Sequence, residues 1–111
     1  MKLRIEENLL RLRLSDDEVV EFDRTGRVAY ALALGPEPGQ TLTYALERLP
    51  ESDPAPAVLL RYQPGQVAVL VPAAQAREWA ASKKVGFRAE IFVGKGRELR
   101  IVVEKDLGYQ H

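Results

Sequence analysis

The chain contains no cysteine, and its single histidine, His111, is the last residue. Without cysteine there can be no disulfide, no thiolate metal ligand and no thiol nucleophile. A histidine at a chain end makes a poor general base, because terminal residues seldom hold a fixed geometry. Serine is scarce as well. Ser15 and Ser82 stand at helix boundaries and Ser52 in a connector, and none lies in a nucleophile motif such as G-x-S-x-G. No pair of acids has the spacing of a catalytic dyad or of a divalent-metal loop. The expectation is a protein that is not an enzyme and has no cofactor and no metal.

Long apolar runs are also missing. Nothing approaches the roughly 20 residues of a membrane helix. The opening MKLRIEENLLRLRL alternates charge with apolar residues and lacks the apolar block of a signal peptide. A cytoplasmic protein with no membrane contact is expected. Net charge is absent too, since 16 Lys/Arg balance 16 Asp/Glu. Nucleic acid is therefore disfavoured as a partner, because its binders normally carry a basic excess. The balance hides an asymmetry. Residues 1–56 hold seven basic against eleven acidic residues, a net of −4, and residues 57–111 hold nine against five, a net of +4. Protein is the expected partner, and the oppositely charged halves could also drive self-association.

What is present is alternation and duplication. Leu3 and Ile5 alternate with Lys2 and Arg4, and Leu10, Leu12 and Leu14 alternate with Arg11 and Arg13, the mark of half-buried strands. Asn8, which tolerates the left-handed conformation, is the expected turn residue between them. Ser15-x-x-Glu18 is a capping box, with Asp16 and Asp17 at the positive end of the helix dipole. Val19 and Phe22 share a helix face, and Gly26 is the expected C-terminal cap. Val28, Tyr30, Leu32 and Leu34 alternate with Ala29, Ala31 and Ala33. That strand is apolar on both faces, and its small face suggests cover by a helix or a neighbouring chain. A Gly/Pro turn leads to a strand from Thr41 to Leu49 with Leu42, Tyr44 and Leu46 inward.

Moving 57 positions along repeats the pattern. Leu60 and Tyr62, then Val67, Val69 and Val71, match the first two strands. Pro72, well placed in a first helical turn, stands for Ser15, and Ala76 and Trp79 stand for Val19 and Phe22. On a gapless offset Val85, Phe87, Ala89 and Ile91 replace Val28, Tyr30, Leu32 and Leu34, and Leu99, Ile101 and Val103 replace Leu42, Tyr44 and Leu46. The reading is one α+β domain, mainly β, of two ββαββ units with about eight strands and two short helices. The units, about 2–49 and 57–106 joined by the proline-rich connector 50–56, form a barrel-like or two-sheet structure with pseudo-twofold symmetry. Neither unit can bury its apolar face alone, so a shared core is expected.

Gly94-Lys95-Gly96-Arg97 is followed by a strand, so it reads as a hairpin turn rather than a phosphate loop, which requires a helix. Trp79 matches Phe22 and reads as core. The remaining candidate is a basic surface for an anion or a partner: Lys83, Lys84, Arg88, Lys95, Arg97 and Arg100, interrupted by Glu90, Glu98 and Glu104.

The pattern MKLRI…LRLRLSDDEV, then LTYALE at 42–47 and VEKDL at 103–107, resembles a family of short bacterial proteins of unknown function over nearly the whole chain. That resemblance implies no activity. Val67-x-Val69-x-Val71-Pro72 entering a helix, followed by a strand running into Gly94-Lys95-Gly96-Arg97, is similar to swapped-hairpin barrel proteins of the AbrB and MraZ type over about 35 residues. This second resemblance implies a compact β-barrel and, as the alternative function, a DNA-binding regulator. A third reading is a small-ligand carrier or enzyme with its site inside the barrel.

Overall fold

The computed structural model describes residues 1–107, which leaves His111 outside the described residues. The elements follow in the order β1 Lys2–Glu6, β2 Leu9–Leu14, α1 Asp16–Thr25, β3 Arg27–Ala33, β4 Thr41–Arg48, β5 Leu59–Gln63, β6 Gln66–Val71, α2 Ala73–Ala81, β7 Gly86–Phe92 and β8 Glu98–Lys105. Two ββαββ units are thus present. Neither makes a sheet of its own.

The strands form two four-stranded sheets, β1-β2-β8-β7 (sheet A) and β3-β4-β6-β5 (sheet B). Each takes one hairpin from each unit, joined through a parallel pair. Leu12 lies opposite Val103 where β2 meets β8, and Leu46 lies opposite Val69 where β4 meets β6. All other pairings are antiparallel hairpins. The sheets do not close into a barrel. Their inner faces meet around one apolar cluster that includes Leu12, Leu14, Leu46, Val69, Val71, Ile101 and Val103. Fully burying each such side chain stabilises by about 1.5–3 kcal/mol. The void bounded by Leu3, Leu10, Leu12, Tyr44, Val67 and Val69 has no room for a water molecule.

The helices meet at the pseudo-twofold. Phe22 of α1 and its counterpart Trp79 of α2 pack edge to face with centroids 5.9 Å apart, and Trp79 meets Phe87 in the same way at 5.5 Å. The Trp79 indole N–H donates to the Val85 carbonyl at 3.1 Å, so the buried ring is fully satisfied. Each helix C-terminus is held by an equivalent cation from the last strand of its unit. Arg48 donates to the Asp23 carbonyl at 2.8 Å, and Lys105 to the Ser82 carbonyl at 2.6 Å.

Three local readings need correction. The left-handed residue of the β1–β2 turn is Glu7 (φ 46°), not Asn8. Asn8 instead uses its side-chain amide to bind the Glu98 carbonyl across the sheet at 3.0 Å. The gapless repeat also breaks after α2. Val28 pairs with Leu46, whereas it is Phe87 that pairs with the equivalent Val103. Phe87, Ala89 and Ile91 are therefore the counterparts of Val28, Tyr30 and Leu32, and Val85 lies before the strand, 44% exposed. The cause lies at the helix ends. Gly26 takes φ 82° and turns α1 directly into β3. Lys83 occupies the matching position; α2 leaves instead through an extended Ser82 and needs two more residues to reach the sheet. The β7–β8 turn is shorter than β3–β4 by the same two, which restores the offset. Finally, among the described residues no helix covers the small face of β3, where Ala31 and Ala33 are exposed; on the opposite face Tyr30, Leu32 and Leu34 are 43%, 50% and 68% exposed.

Candidate binding face

Strand pleating assigns the outer face of sheet A from the registers. Crossing from β1 to β7, the rows read Lys2, Arg13, Glu104, Gly86; then Arg4, Arg11, Val102, Arg88; then Glu6, Leu9, Arg100, Glu90. Six cations thus share one sheet face with acids at its margins and one, Glu104, within it. Four of those cations come from the first unit and two from the second.

Glu104 organises the middle. Its Oε1 accepts from Arg13 Nη2 at 2.8 Å and Nε at 3.1 Å, and Arg11 Nε stands 3.6 Å away. The hydrogen bond and charge of Glu104 push the Arg13 guanidinium further above its already high pKa. Arg11 Nε is buried and makes no hydrogen bond among the described residues. Arg4 is paired along its own strand with Glu6 at 2.7 Å. Arg88 and Arg100 are exposed, and among the described residues neither has an acidic partner within ion-pair distance. Two open depressions adjoin on this face. One, of about 420 Å³, is lined by Lys2, Leu3, Arg4, Arg11 and Arg13; the other, of about 390 Å³, includes Leu9, Arg11, Arg88, Glu90 and Arg100. Arg11 is the wall they share.

Sheet B supplies an internal control, because its outer face occupies the pseudo-equivalent positions. Glu47 stands for Glu104 and is held by Arg61 at 2.6 Å and Arg27 at 3.1 Å. Burial works to raise the Glu47 pKa, but these two guanidinium groups lower it on balance. The remaining positions are neutral. Ala68, Leu70, Thr43 and Ala29 replace Arg11, Arg13, Arg100 and Arg88. The space beside Arg27, Glu47 and Arg61 is only about 20 Å³.

Of the basic residues singled out in the sequence, the sheet brings Arg88 and Arg100 together on one face. Lys83 and Lys84 lie after α2, where Lys84 faces Glu78 at 3.6 Å, and Lys95 and Arg97 lie in the β7–β8 turn. Reading the chain in halves missed Lys2, Arg4, Arg11 and Arg13, which reach the same face only through the parallel β2–β8 pairing. Their outward position was visible in the alternation of β1 and β2. Their neighbours were not.

Fold and face together define a duplicated two-sheet α+β domain with one cationic sheet surface. A family model covers residues 1–109, and the chain belongs to that family, a family of unknown function (DUF7009). The first of the two sequence resemblances, to a family without an assigned role, is thereby shown; nothing supports the AbrB and MraZ resemblance. No curated protein and no solved structure shows significant similarity to the chain.

Proposed function

We propose that the protein is a non-enzymatic binding domain that takes an acidic segment of a protein partner on the outer face of sheet A. The carrying observation is the asymmetry between the two sheets. One architecture is built twice, yet only sheet A gathers arginines at positions where sheet B holds Ala, Leu and Thr. Core packing does not require arginine at those positions, since the same backbone accepts small neutral residues in sheet B. The geometry suits an extended carboxylate-bearing chain: arginines that fork toward carboxylates flank two shallow depressions. Glu6, Glu90, Glu98 and Glu104 favour a protein partner over a nucleic-acid backbone, which carries unbroken negative charge. The lack of cysteine supports a cytoplasmic setting.

Fluorescence anisotropy of a labelled aspartate/glutamate-rich peptide tests the reading. The expected result is binding that weakens as salt rises. Removing Arg88 and Arg100 together (Arg88→Ala with Arg100→Ala) should weaken it roughly fivefold or more, at about 0.5–1 kcal/mol per exposed contact. Replacing Lys83 and Lys84 by Ala should leave it unchanged. Absence of peptide binding at low salt, with duplex DNA retained in a gel, would replace this reading with the DNA-binding one.

A further inference from the structure

A two-sheet domain that does not close has four sheet edges, here β1, β7, β3 and β5. Edge strands expose a row of unpaired N–H and C=O groups, and soluble proteins guard them with charge. Three edges follow that rule: β1 presents Lys2, Arg4 and Glu6, β5 presents Arg61, and β7 presents Arg88 and Glu90. The fourth does not. From Val28 to Leu34, β3 and its exit read VAYALAL without a charge.

Which backbone groups are free follows from the ladder. Arg48 N–H donates to the Gly26 carbonyl and Leu34 N–H to the Gln40 carbonyl, each at the end of the β3–β4 pairing. In an antiparallel pair, alternate residues bond to the partner strand. The even-numbered residues of β3 therefore face β4, and the amides and carbonyls of Ala29, Ala31 and Ala33 point out from the sheet. On β7, the equivalent outward residues are Gly86, Arg88, Glu90 and Phe92. The duplicated strand thus has the same frame with opposite chemistry.

We infer that β3 is the self-association edge of this protein, pairing antiparallel with β3 of a second copy about a twofold axis at Ala31. A second copy fits because the stretch is complementary to its own reverse. Centring on Ala31 sets Ala29 against Ala33, Tyr30 against Leu32 and Val28 against Leu34, and it leaves Arg27 opposite Gly35. No like charges meet. All free donors and acceptors of Ala29, Ala31 and Ala33 find partners, and the half-exposed Tyr30, Leu32 and Leu34 of both copies adjoin on one face. Aromatic–aliphatic cross-strand pairs of this kind are the stabilising unit of sheets. The product is one continuous sheet with the two B sheets side by side. The cationic faces of the two A sheets stay free, so the assembly is independent of partner binding there.

Sedimentation velocity on the full chain from micromolar to millimolar concentration, with hydrogen exchange in parallel, tests the inference. The expected result is a monomer–dimer equilibrium in which the amides of Ala29, Ala31 and Ala33 gain protection as the dimer forms. Ala31→Lys places two ammonium groups opposite each other on the axis and should hold the protein monomeric with an unchanged circular dichroism spectrum. A chain that stays monomeric throughout, as it would if a foreign strand were the proper occupant, overturns the inference. So does a dimer whose Ala29, Ala31 and Ala33 amides exchange as fast as in the monomer. The exchange measurement uses the native chain and decides the matter even where the variant does not fold.

Discussion

Glu18 shows how much one side chain can carry. Its Oε1 accepts the Ser15 amide at 2.8 Å and closes the capping box; its Oε2 accepts the Met1 α-ammonium group and the Tyr30 hydroxyl, the latter at 2.5 Å. Burial works to raise the Glu18 pKa, but the ammonium group, Tyr30 and Ser15 outweigh it and hold the carboxyl at about 2. The same hydrogen bond, with burial and the Glu18 charge behind it, raises the Tyr30 hydroxyl to about 12. Both ends of the pH scale are affected. A depressed carboxyl stabilises the fold above its ordinary value of 4.5, and that contribution is lost as pH falls from there toward 2. A raised phenol contributes below its ordinary value of 10, and that contribution is lost as pH rises from 10 through 12. Urea unfolding of the wild type should show stability declining in both windows. Glu18→Gln should lower the plateau between them and flatten both declines; curves that stay parallel to wild type would mean that the contacts around Glu18 do not contribute to stability.

Among the elements, β2 and β6 are the counterparts that join the two units. Leu12 and Val69 occupy equivalent positions on them, and each is 1% exposed. Leu12→Ala and Val69→Ala should each cost about 2–4 kcal/mol in denaturant unfolding, the range for buried large-to-small changes. These inward faces were legible in the sequence, because period-two alternation is a local signal that burial enforces residue by residue. The Ser15 cap, the Gly26 exit and the burial of Trp79 were legible for the same reason. The slip at β7 was not. Moving a strand by two residues keeps every side chain on its own face, so alternation reads the same at either register. The sheet partners were also hidden, since nothing local in Leu10-Arg11-Leu12 names Ile101-Val102-Val103 as its neighbour. That one long-range pairing explains why only Arg88 and Arg100 of the cationic face were singled out.

For the molecule as a whole, exchange of hairpins between the units means that neither half owns a complete sheet. Residues 57–111 hold β5 and β6 without β4, and β7 and β8 without β2. Cutting within the connector 50–56 should therefore yield two fragments with little native circular dichroism. Mixing them should restore structure if the shared core is the source of stability. A cooperative unfolding transition for 57–111 alone, as a monomer, would contradict the pairing order. The opposite net charges of the halves would help the fragments find each other at low salt.

The parallel pairing of β2 with β8 also sets a timetable for synthesis. Sheet B uses one continuous stretch, β3 to β6, ending at Val71, whereas sheet A joins the earliest strands to the last, ending at Lys105. A ribosome adding about 5–20 residues per second leaves β1 and β2 without their partner until β8 has emerged. The arginines that alternate along these two strands give the waiting hairpin a charged face, which counters its aggregation before the cationic face they belong to is assembled.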